Sequence, residues 1–586
     1  MHVVATAGHV DHGKSTLIAA LTGQQPDRLE EERRRGLSIE LGYCWTRLPR
    51  SGDVAFVDVP GHERFVSTML AGVGPVPVVL FVVAADDPWM PQAGEHLGVL
   101  DALGVTRGVL AVTRSDLADA SAALASARAA LSTTSLAGIP SVAVSGTTGE
   151  GLDALAAALD DVLTSTPAPD PSSDVRIWVD RVFTKPGAGT IVTGTLPAGT
   201  VTRGETLGCG DGRVTVRGLQ TLTRDVESVS GVARVSLRLG SAAPSSLRRG
   251  SALVTPGVWE PSRVVDVRIA GGSDLPTEPM LHVGSAAVPC RVRPLGTAGD
   301  ALLARLTLDD ELPWHVGDRA VLRDPGRRQV WGFRVLDPAP PRLTRRGDAQ
   351  RRAEMLADAP EEPSLSVELS RRRVVRVDRL RRLGVPANEL TAARRELGSD
   401  WILDPGFLAA ARTRLGGLVD EHAAANPLQG GVSLADAARR LGLPDVELVA
   451  RLVEPPLVQD GGRVRRGGAQ MPAEYDAALQ RLEDLLSAYP FRAPEADTLT
   501  ELGLDRRLLA AAARAGRLLK LSDVVVLLPG ADRDAVELLA TLPQPFTTSE
   551  ARQRLETTRR VVLPLLSHLD KSGLTRRLPD DRRTVT

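Results

Sequence analysis

At 586 residues the chain exceeds what one hydrophobic core organises, and a typical domain size of roughly 150 residues gives an expectation of about four domains. The apolar share of 43% is ordinary for globular proteins, and a net charge of -1 excludes a whole-molecule field for polyanions, so any nucleic-acid binding has to be local. Three widely spaced cysteines, Cys44, Cys209 and Cys290, argue against a disulfide framework and a thiolate metal site, and no run of eighteen apolar residues offers a membrane span.

The chain opens "MHVVATAGHV", directly on a strand and a glycine loop, and a cytoplasmic protein is expected. Residues 1–166 alternate β-rich runs ("VAFVDVP", "VVLFVVAA", "GVLAVT", "PSVAVSG") with alanine-rich helical stretches, which predicts an α/β domain on a mostly parallel sheet. Within it "GHVDHGKS", Gly8 to Ser15, fits GxxxxGK[ST] between a strand and a helix, the context of a phosphate-binding P-loop. Backbone N–H groups of Asp11, His12, Gly13, Lys14, Ser15 and Thr16 then face phosphate oxygens, Lys14 neutralises the β/γ charge, and the Ser15 hydroxyl ligates Mg2+. "DVPGH" ends a strand so that Asp58 reaches the magnesium shell through water and the Gly61 N–H senses a γ-phosphate. "TRSD", Thr113, Arg114, Ser115 and Asp116, offers the Asp116 carboxylate to the N1–H and 2-amino group of guanine, which selects GTP over ATP. "SGTTGEG", beginning at Ser145 and Gly146, can turn N–H groups toward the guanine O6.

"TSTPAPDPSS" is a linker. The Val/Thr/Gly-rich stretch after it predicts two β-barrels, at 174–258 and 259–340. The first begins "IWVDRVFTKPGAGTIVTGT", an apolar run that sets Asp180 beside Arg181; a plain salt bridge at a sheet edge is one reading of that pair. From 341 to 586 the sequence is mainly helical and repeats, with "LGVPANELTAARREL", "LGLPDVELVARLV", "LGLDRRLLAAAARAGRLLKL" and "LETTRRVVLPLLSHLDKSGLTRR" sharing one plan at offsets of 58, 61 and 53 residues. Helix, turn, helix and β-hairpin in about 60 residues describes a winged-helix unit, so four in tandem are predicted, the last from about 535. A generic helical array is the alternative.

The segments "GHVDHGKST", "DVPGH" and "RRRGLSIELGY" resemble translational GTPases of the elongation factor Tu type. That resemblance implies that His62 orients the attacking water, that Ser38 supplies the switch I hydroxyl to Mg2+ and γ-phosphate, and that Val10 and Leu37 form an apolar gate restraining His62 until the ribosome engages. The chain departs from that pattern where the usual switch I threonine is Ser38 and the usual Asn-Lys of the guanine motif is Thr113-Arg114. Winged helices after two barrels, with "TRSD", "VDRVFTKPGAGTIVTGT" and "TTSEARQRLETTRRVVLPLLSHLDKSGLTRR", resemble the bacterial selenocysteine-specific elongation factors. Their partners are selenocysteinyl-tRNA, the ribosome and a messenger RNA hairpin downstream of an in-frame UGA, and the chain is expected to be a monomer.

On that resemblance Asp180, Arg181 and Arg234 line an aminoacyl pocket whose guanidiniums pair with a selenolate, while serine and cysteine stay largely neutral. In the last unit Thr558, Arg559 and Arg560 start the second helix, and Arg576, Arg577, Arg582 and Arg583 fall on the presumed wing, a small basic cleft suited to hairpin RNA. Residues 541–586 hold nine basic and five acidic side chains. Only four of the 71 basic residues of the chain are lysines, so an arginine bias discounts that excess. A GTPase subunit of sulfate adenylyltransferase and a GTP-switched DNA-binding regulator are the rival readings, and neither explains both the tail and the Asp-Arg pair.

Overall fold

A computed structural model describes residues 1–26, 38, 40–62, 65–74, 76–87, 89–187, 189–210, 212–240, 246–271, 274–324, 326, 329–397, 400–426, 431–467 and 473–586. The chain divides into two units, Met1–Ile402 and Leu403–Thr586.

The first unit begins with a six-stranded sheet built from β1 (His2–Ala7), β2 (Gly42–Leu48), β3 (Gly52–Asp58), β4 (Val78–Ala84), β5 (Arg107–Thr113) and β6 (Ser141–Ala143). Its order is β2-β3-β1-β4-β5-β6, parallel except for the β2 edge. Both faces are covered by helices, α1 (Lys14–Thr22), α2 (Val66–Val73), α3 (Pro91–Leu103), α4 (Ser121–Leu131) and α5 (Leu152–Ser165). That is why β4 reads as an unbroken apolar run, with all seven residues buried. Loops at the carboxyl ends of β1, β3 and β5 therefore come together, the usual location of a ligand crevice in such sheets.

Strands between Arg176 and Val254 close a first barrel, because the strand Thr206–Cys209 pairs with both Gly212–Thr221 and Ala252–Val254. Six strands between Glu260 and Asp337 close a second. The barrels are clamped together. Trp178 leaves the first to pack into the core of the second, and a Cβ on Gly284 would lie 2.1 Å from its ring. Arg176 stacks 4.2 Å above Trp259, which stacks 3.7 Å from His315, and Arg176 forms a two-pronged pair with Asp318 at 2.6 and 2.7 Å. The second barrel also meets α3, where Arg323 donates to Glu95 at 2.9 Å.

A first winged helix follows, with helices Leu365–Arg372, Val377–Arg382 and Ala387–Leu397 around Leu369, Leu380, Val385 and Leu390. It belongs to the same unit as the barrels, because a buried charge network fastens it there. Asp266 accepts from Arg305 and Arg352, both at 2.7 Å. Asp337 accepts from Arg352 and Arg372, both at 2.5 Å, and Glu368 holds Arg371 and Arg372. Burial alone would raise the Asp337 carboxyl, but the Arg372 and Arg352 guanidiniums outweigh it and hold it below its ordinary value. A carboxyl that titrates lower in the folded chain contributes stability that is complete above its unfolded pKa of roughly 4 and is lost as pH falls through the folded value. Asp337→Asn leaves two buried guanidiniums short of a partner, and a loss of about 3 to 5 kcal/mol is expected. The readout is hydrogen-exchange protection of the helix Leu365–Arg372, which should fall in the variant at pH 7 and in the parent only in acid.

The second unit carries three more winged helices. One has helices Pro405–Ala425 and Leu434–Leu441 and a hairpin of Leu457–Asp460 with Arg463–Arg466. Its expected second helix is a 3-10 segment, Val446–Leu452, rather than an α-helix. Three valines follow Asp445 in nine residues before Pro455 and Pro456, too little favourable sequence to set up an α-helix. The third and fourth units, Ala473–Leu527 and Ala531–Val585, share a single core in which Leu479, Leu482 and Leu509 join Leu565, Leu566 and Leu569.

Candidate functional site

The phosphate loop is shaped by contacts that its sequence demands. Gly8 has φ 129 and a Cβ there would lie 2.1 Å from the Val82 carbonyl, so only glycine fits beside β4. The Gly8 N–H donates to His96 Nδ1 at 3.1 Å, which fixes that nitrogen as unprotonated. Burial, with Lys14 adding to it, pushes the His96 pKa down to about 3. Asp11 and Gly13 take positive φ, His12 is buried, and Thr16 faces solvent on the first turn of α1. Lys14 donates to the carbonyls of Gly8 and His9 at 3.2 and 2.6 Å, so its ammonium lies within the loop that should receive phosphate.

Three oxygen donors gather at the carboxyl end of β3. Ser15 Oγ donates to Asp58 at 2.6 Å and lies 3.0 Å from Ser38 Oγ, while Thr6 donates to the other Asp58 oxygen at 2.8 Å. Hydroxyl, hydroxyl and carboxylate are the hard donors that a magnesium ion takes together with phosphate and water, so the residues present fit that ion. Gly61 sits tight against the loop, where a Cβ would lie 2.5 Å from both Lys14 Nζ and the Val10 nitrogen. His62 is half-buried with its ring 6.0 Å from that of Phe65, and Val10 is half-buried; Leu37, the other proposed half of the gate, lies outside the described residues.

The guanine motif divides its work. Thr113 is buried and its hydroxyl donates to the carbonyls of His12 at 2.7 Å and Val83 at 3.1 Å, so it anchors the phosphate loop rather than facing a base. Arg114, at φ 57, reaches the Asp11 carbonyl and pairs with Asp86 at 3.1 Å. Asp116 is exposed on the loop after β5. Ser145 is fully buried and its hydroxyl accepts from Thr148 N at 3.1 Å, holding the turn that contains Gly146.

Asp180, Arg181 and Arg234 converge on one side of the first barrel. The ladder between Arg176–Lys185 and Gly189–Leu196 shifts register between Val179 and Arg181, a bulge that breaks strict alternation where Asp180 and Arg181 stand. Asp180 is buried and accepts from both terminal nitrogens of Arg234, at 2.7 Å from Nη2, and from Thr193 at 2.7 Å. Burial would lower the Arg234 pKa, but Asp180 more than offsets it and keeps the guanidinium firmly charged. Arg181 takes a different partner, Glu40 at 2.8 Å, and donates to the Leu41 carbonyl at 2.8 Å. The sequence-level reading of an Asp180–Arg181 pair is thereby corrected: the carboxylate belongs to Arg234. Tyr43 of β2 completes the group, with its ring 3.9 Å from the Arg234 guanidinium and 5.4 Å from that of Arg181. Burial raises the Tyr43 pKa above its ordinary value. Tyr43 and Glu40 were not singled out in the sequence; "IELGY" carries no signal beyond its place just after Ser38. A cleft of about 810 Å³ lies elsewhere, between the barrels beside Arg248, Arg249 and Arg263.

In the fourth winged helix the arginines separate into two groups. Arg559 and Arg576 are exposed, as is the Thr558 N-cap residue; Arg577 pairs with Asp581 and Arg582 lies 3.7 Å from Asp580. Arg560 is a brace rather than a surface cation, donating to the carbonyls of Ala493 at 2.5 Å and Pro494 at 2.9 Å because the third unit packs against this helix. Arg583 is buried against Asp570 at 3.0 Å, so it too leaves the predicted RNA face.

A family model described as "Elongation factor Tu GTP binding domain" matches residues 1–165, and one described as "Elongation factor SelB, winged helix" matches residues 537–584. A selenocysteine-specific elongation factor of Escherichia coli is 31% identical over 633 aligned positions, which cover 99% of this chain and 98% of that one. The chain belongs to the selenocysteine-specific elongation factors. The homologue of Desulfomicrobium baculatum is 36% identical over 353 residues, and that alignment spans 57% of this chain and 56% of the other. A crystal structure of a bacterial selenocysteine-specific elongation factor shares the fold over 100% of both chains, with a TM-score of 0.75 and 24% identity. As a selenocysteine-specific elongation factor the chain is a GTP-binding translation factor: an elongation factor Tu-like GTPase domain, two barrels and a winged-helix tail. Among the described residues no helix is long and apolar enough to cross a membrane.

Proposed function

We propose that this cytoplasmic factor binds selenocysteinyl-tRNA with GTP and Mg2+, carries it to the ribosome at UGA codons marked by a messenger hairpin, and releases it when GTP is hydrolysed. The observation that carries the reading is the buried Asp180–Arg234 pair beside Arg181, two guanidiniums that Asp180 and Glu40 hold in place on the first barrel at the edge of the GTPase domain. A selenol ionises at neutral pH, and two guanidiniums in a low-dielectric setting favour that anion over a neutral hydroxyl.

When Mg2+ is bound it neutralises phosphate charge. Ser15, Ser38 and Asp58 would hold it, Lys14 would turn from the loop carbonyls to the β- and γ-phosphates, and Asp116 would read guanine. His62 would orient the attacking water, with Val10 and Leu37 controlling its approach. Ser38 lies two residues before Glu40, so a γ-phosphate that orders Ser38 also fixes the segment holding Arg181.

The tail reads the hairpin through Thr558, Arg559, Arg576, Arg577 and Arg582. Deleting residues from about 540 would remove eight of the 26 buried residues in the core that the third unit shares with the fourth, so a surface variant is the better test. Arg559→Glu with Arg576→Glu is expected to weaken hairpin binding strongly and to lower the slope of log affinity against log salt by about one per residue. GTP and aminoacyl-tRNA binding should be unaltered. Unchanged hairpin affinity and slope would remove the fourth unit from messenger recognition.

A further inference from the structure

Four polar side chains meet beneath the phosphate loop, away from the oxygen donors of Ser15, Ser38 and Asp58. His9 and His12 come from the loop, Asp87 from the turn after β4, and Gln92 from the first turn of α3. One ligand atom each from His9, His12 and Asp87 lies within 4.8 Å of the other two. His12 Nε2 is 3.1 Å from Asp87 Oδ2, and the two imidazoles meet edge to face with centroids 4.9 Å apart. His9 is 9% exposed and His12 1% exposed. Nδ1 of both imidazoles and Oε1 of Gln92 are buried without a well-aligned hydrogen-bond partner, and the His9 ring interacts with the Gln92 side chain.

Buried polar atoms without well-aligned partners are scarce in folded proteins, and such atoms on His9 and Gln92 beside the His12–Asp87 pair call for a physical cause. A hydrogen bond between His12 and Asp87 accounts for one side of one ring and leaves the rest open. Imidazole, imidazole and carboxylate form a donor set suited to zinc and its neighbours in the periodic table, whereas magnesium prefers oxygen and its own water. On a tetrahedral ion with ligand bonds of about 2.0 to 2.1 Å, two donors sit roughly 3.3 Å apart. The His12–Asp87 separation is already of that size, and His9 closes the set with a side-chain movement of about 1.5 Å.

We propose that His9, His12 and Asp87 form a binding site for a divalent d-block cation, zinc being the ordinary candidate, with Gln92 or water as the fourth ligand. Such an ion ties two side chains of the phosphate loop to the turn after β4. Gly8 is already held to α3 through His96, so the cation adds a second tether between the loop and the body of the domain.

The test uses the full chain with GDP and excess Mg2+, so that the oxygen site is filled. Calorimetric titration with Zn2+ should show one ion bound per chain, and His9→Asn and Asp87→Asn should each weaken it by more than about a hundredfold. Co2+ in place of Zn2+ should give the strong visible absorption of a four-coordinate ion. X-ray absorption at the zinc edge of the parent chain should show only nitrogen and oxygen neighbours, with imidazole scattering, which decides the matter even where a variant fails to fold. No Zn2+ binding, equal binding by the folded variants, or sulfur neighbours from Cys44, Cys209 or Cys290 would overturn the proposal.

Discussion

Asp116→Asn is expected to lose GTP and to gain xanthosine triphosphate. The guanine N1–H and 2-amino group both donate, and a carboxylate accepts from both. An asparagine presents one acceptor and one donor, so its NH2 meets the 2-amino group without a bond, whereas the 2-carbonyl of xanthine accepts from it. Sites that read a ligand through such hydrogen bonds reject the wrong partner by about 10⁴- to 10⁵-fold, and a drop in GTP affinity approaching that range is expected. Thr113 offers no compensation, because its hydroxyl is spent on the carbonyls of His12 and Val83. Direct titration of parent and variant with each triphosphate measures it, and equal GTP affinity in parent and variant would mean that another residue reads the base.

Arg234→Ala should act on two quantities at once. It strands the buried Asp180 carboxylate, whose remaining described donors are Thr193 and the distant Tyr43 hydroxyl at 3.4 Å, and breaking a buried pair from one side costs about 3 to 5 kcal/mol. It also removes one of the two cations near Tyr43, so the preference for selenocysteinyl- over seryl-tRNA should fall steeply. Arg234→Lys separates the effects. It retains a positive charge without the fork that grips Asp180. Much of the stability and part of the selectivity should return, and the affinity for seryl-tRNA should change little in either variant. Loss of affinity for both aminoacylated forms in equal measure would make Arg234 a structural residue only.

The phosphate loop and the barrel-rich middle were legible because each is a local pattern set by residues close in sequence, whereas Ser15, Ser38 and Asp58 meet from three separate segments. Repetition made the four winged helices visible as well. What the sequence hid was pairing across elements. Adjacent strand residues ordinarily face opposite ways, and nothing in "WVDRVF" announces the bulge at Asp180 or says that its carboxylate will choose Arg234, fifty-four positions on, over Arg181. Tyr43 and Glu40 were invisible for the same reason, since their roles come from the approach of β2 to the barrel. Arg560 looked like a surface cation at the start of the second helix and Arg583 like a wing cation, and only packing shows them spent on carbonyls and on Asp570. The attachment of the first winged helix to the second barrel follows from Asp266 and Asp337, two carboxylates with no motif around them.

Recognition of an ionised selenium by fixed guanidiniums is tested most directly by pH. Affinities for selenocysteinyl- and seryl-tRNA, measured side by side on the parent chain with GTP, should diverge at neutral pH and converge as the medium is acidified through the selenol pKa, the seryl form staying constant. Because Arg234 remains charged throughout, the change must come from the ligand. A selectivity that stays the same on both sides of that pKa would contradict recognition by charge.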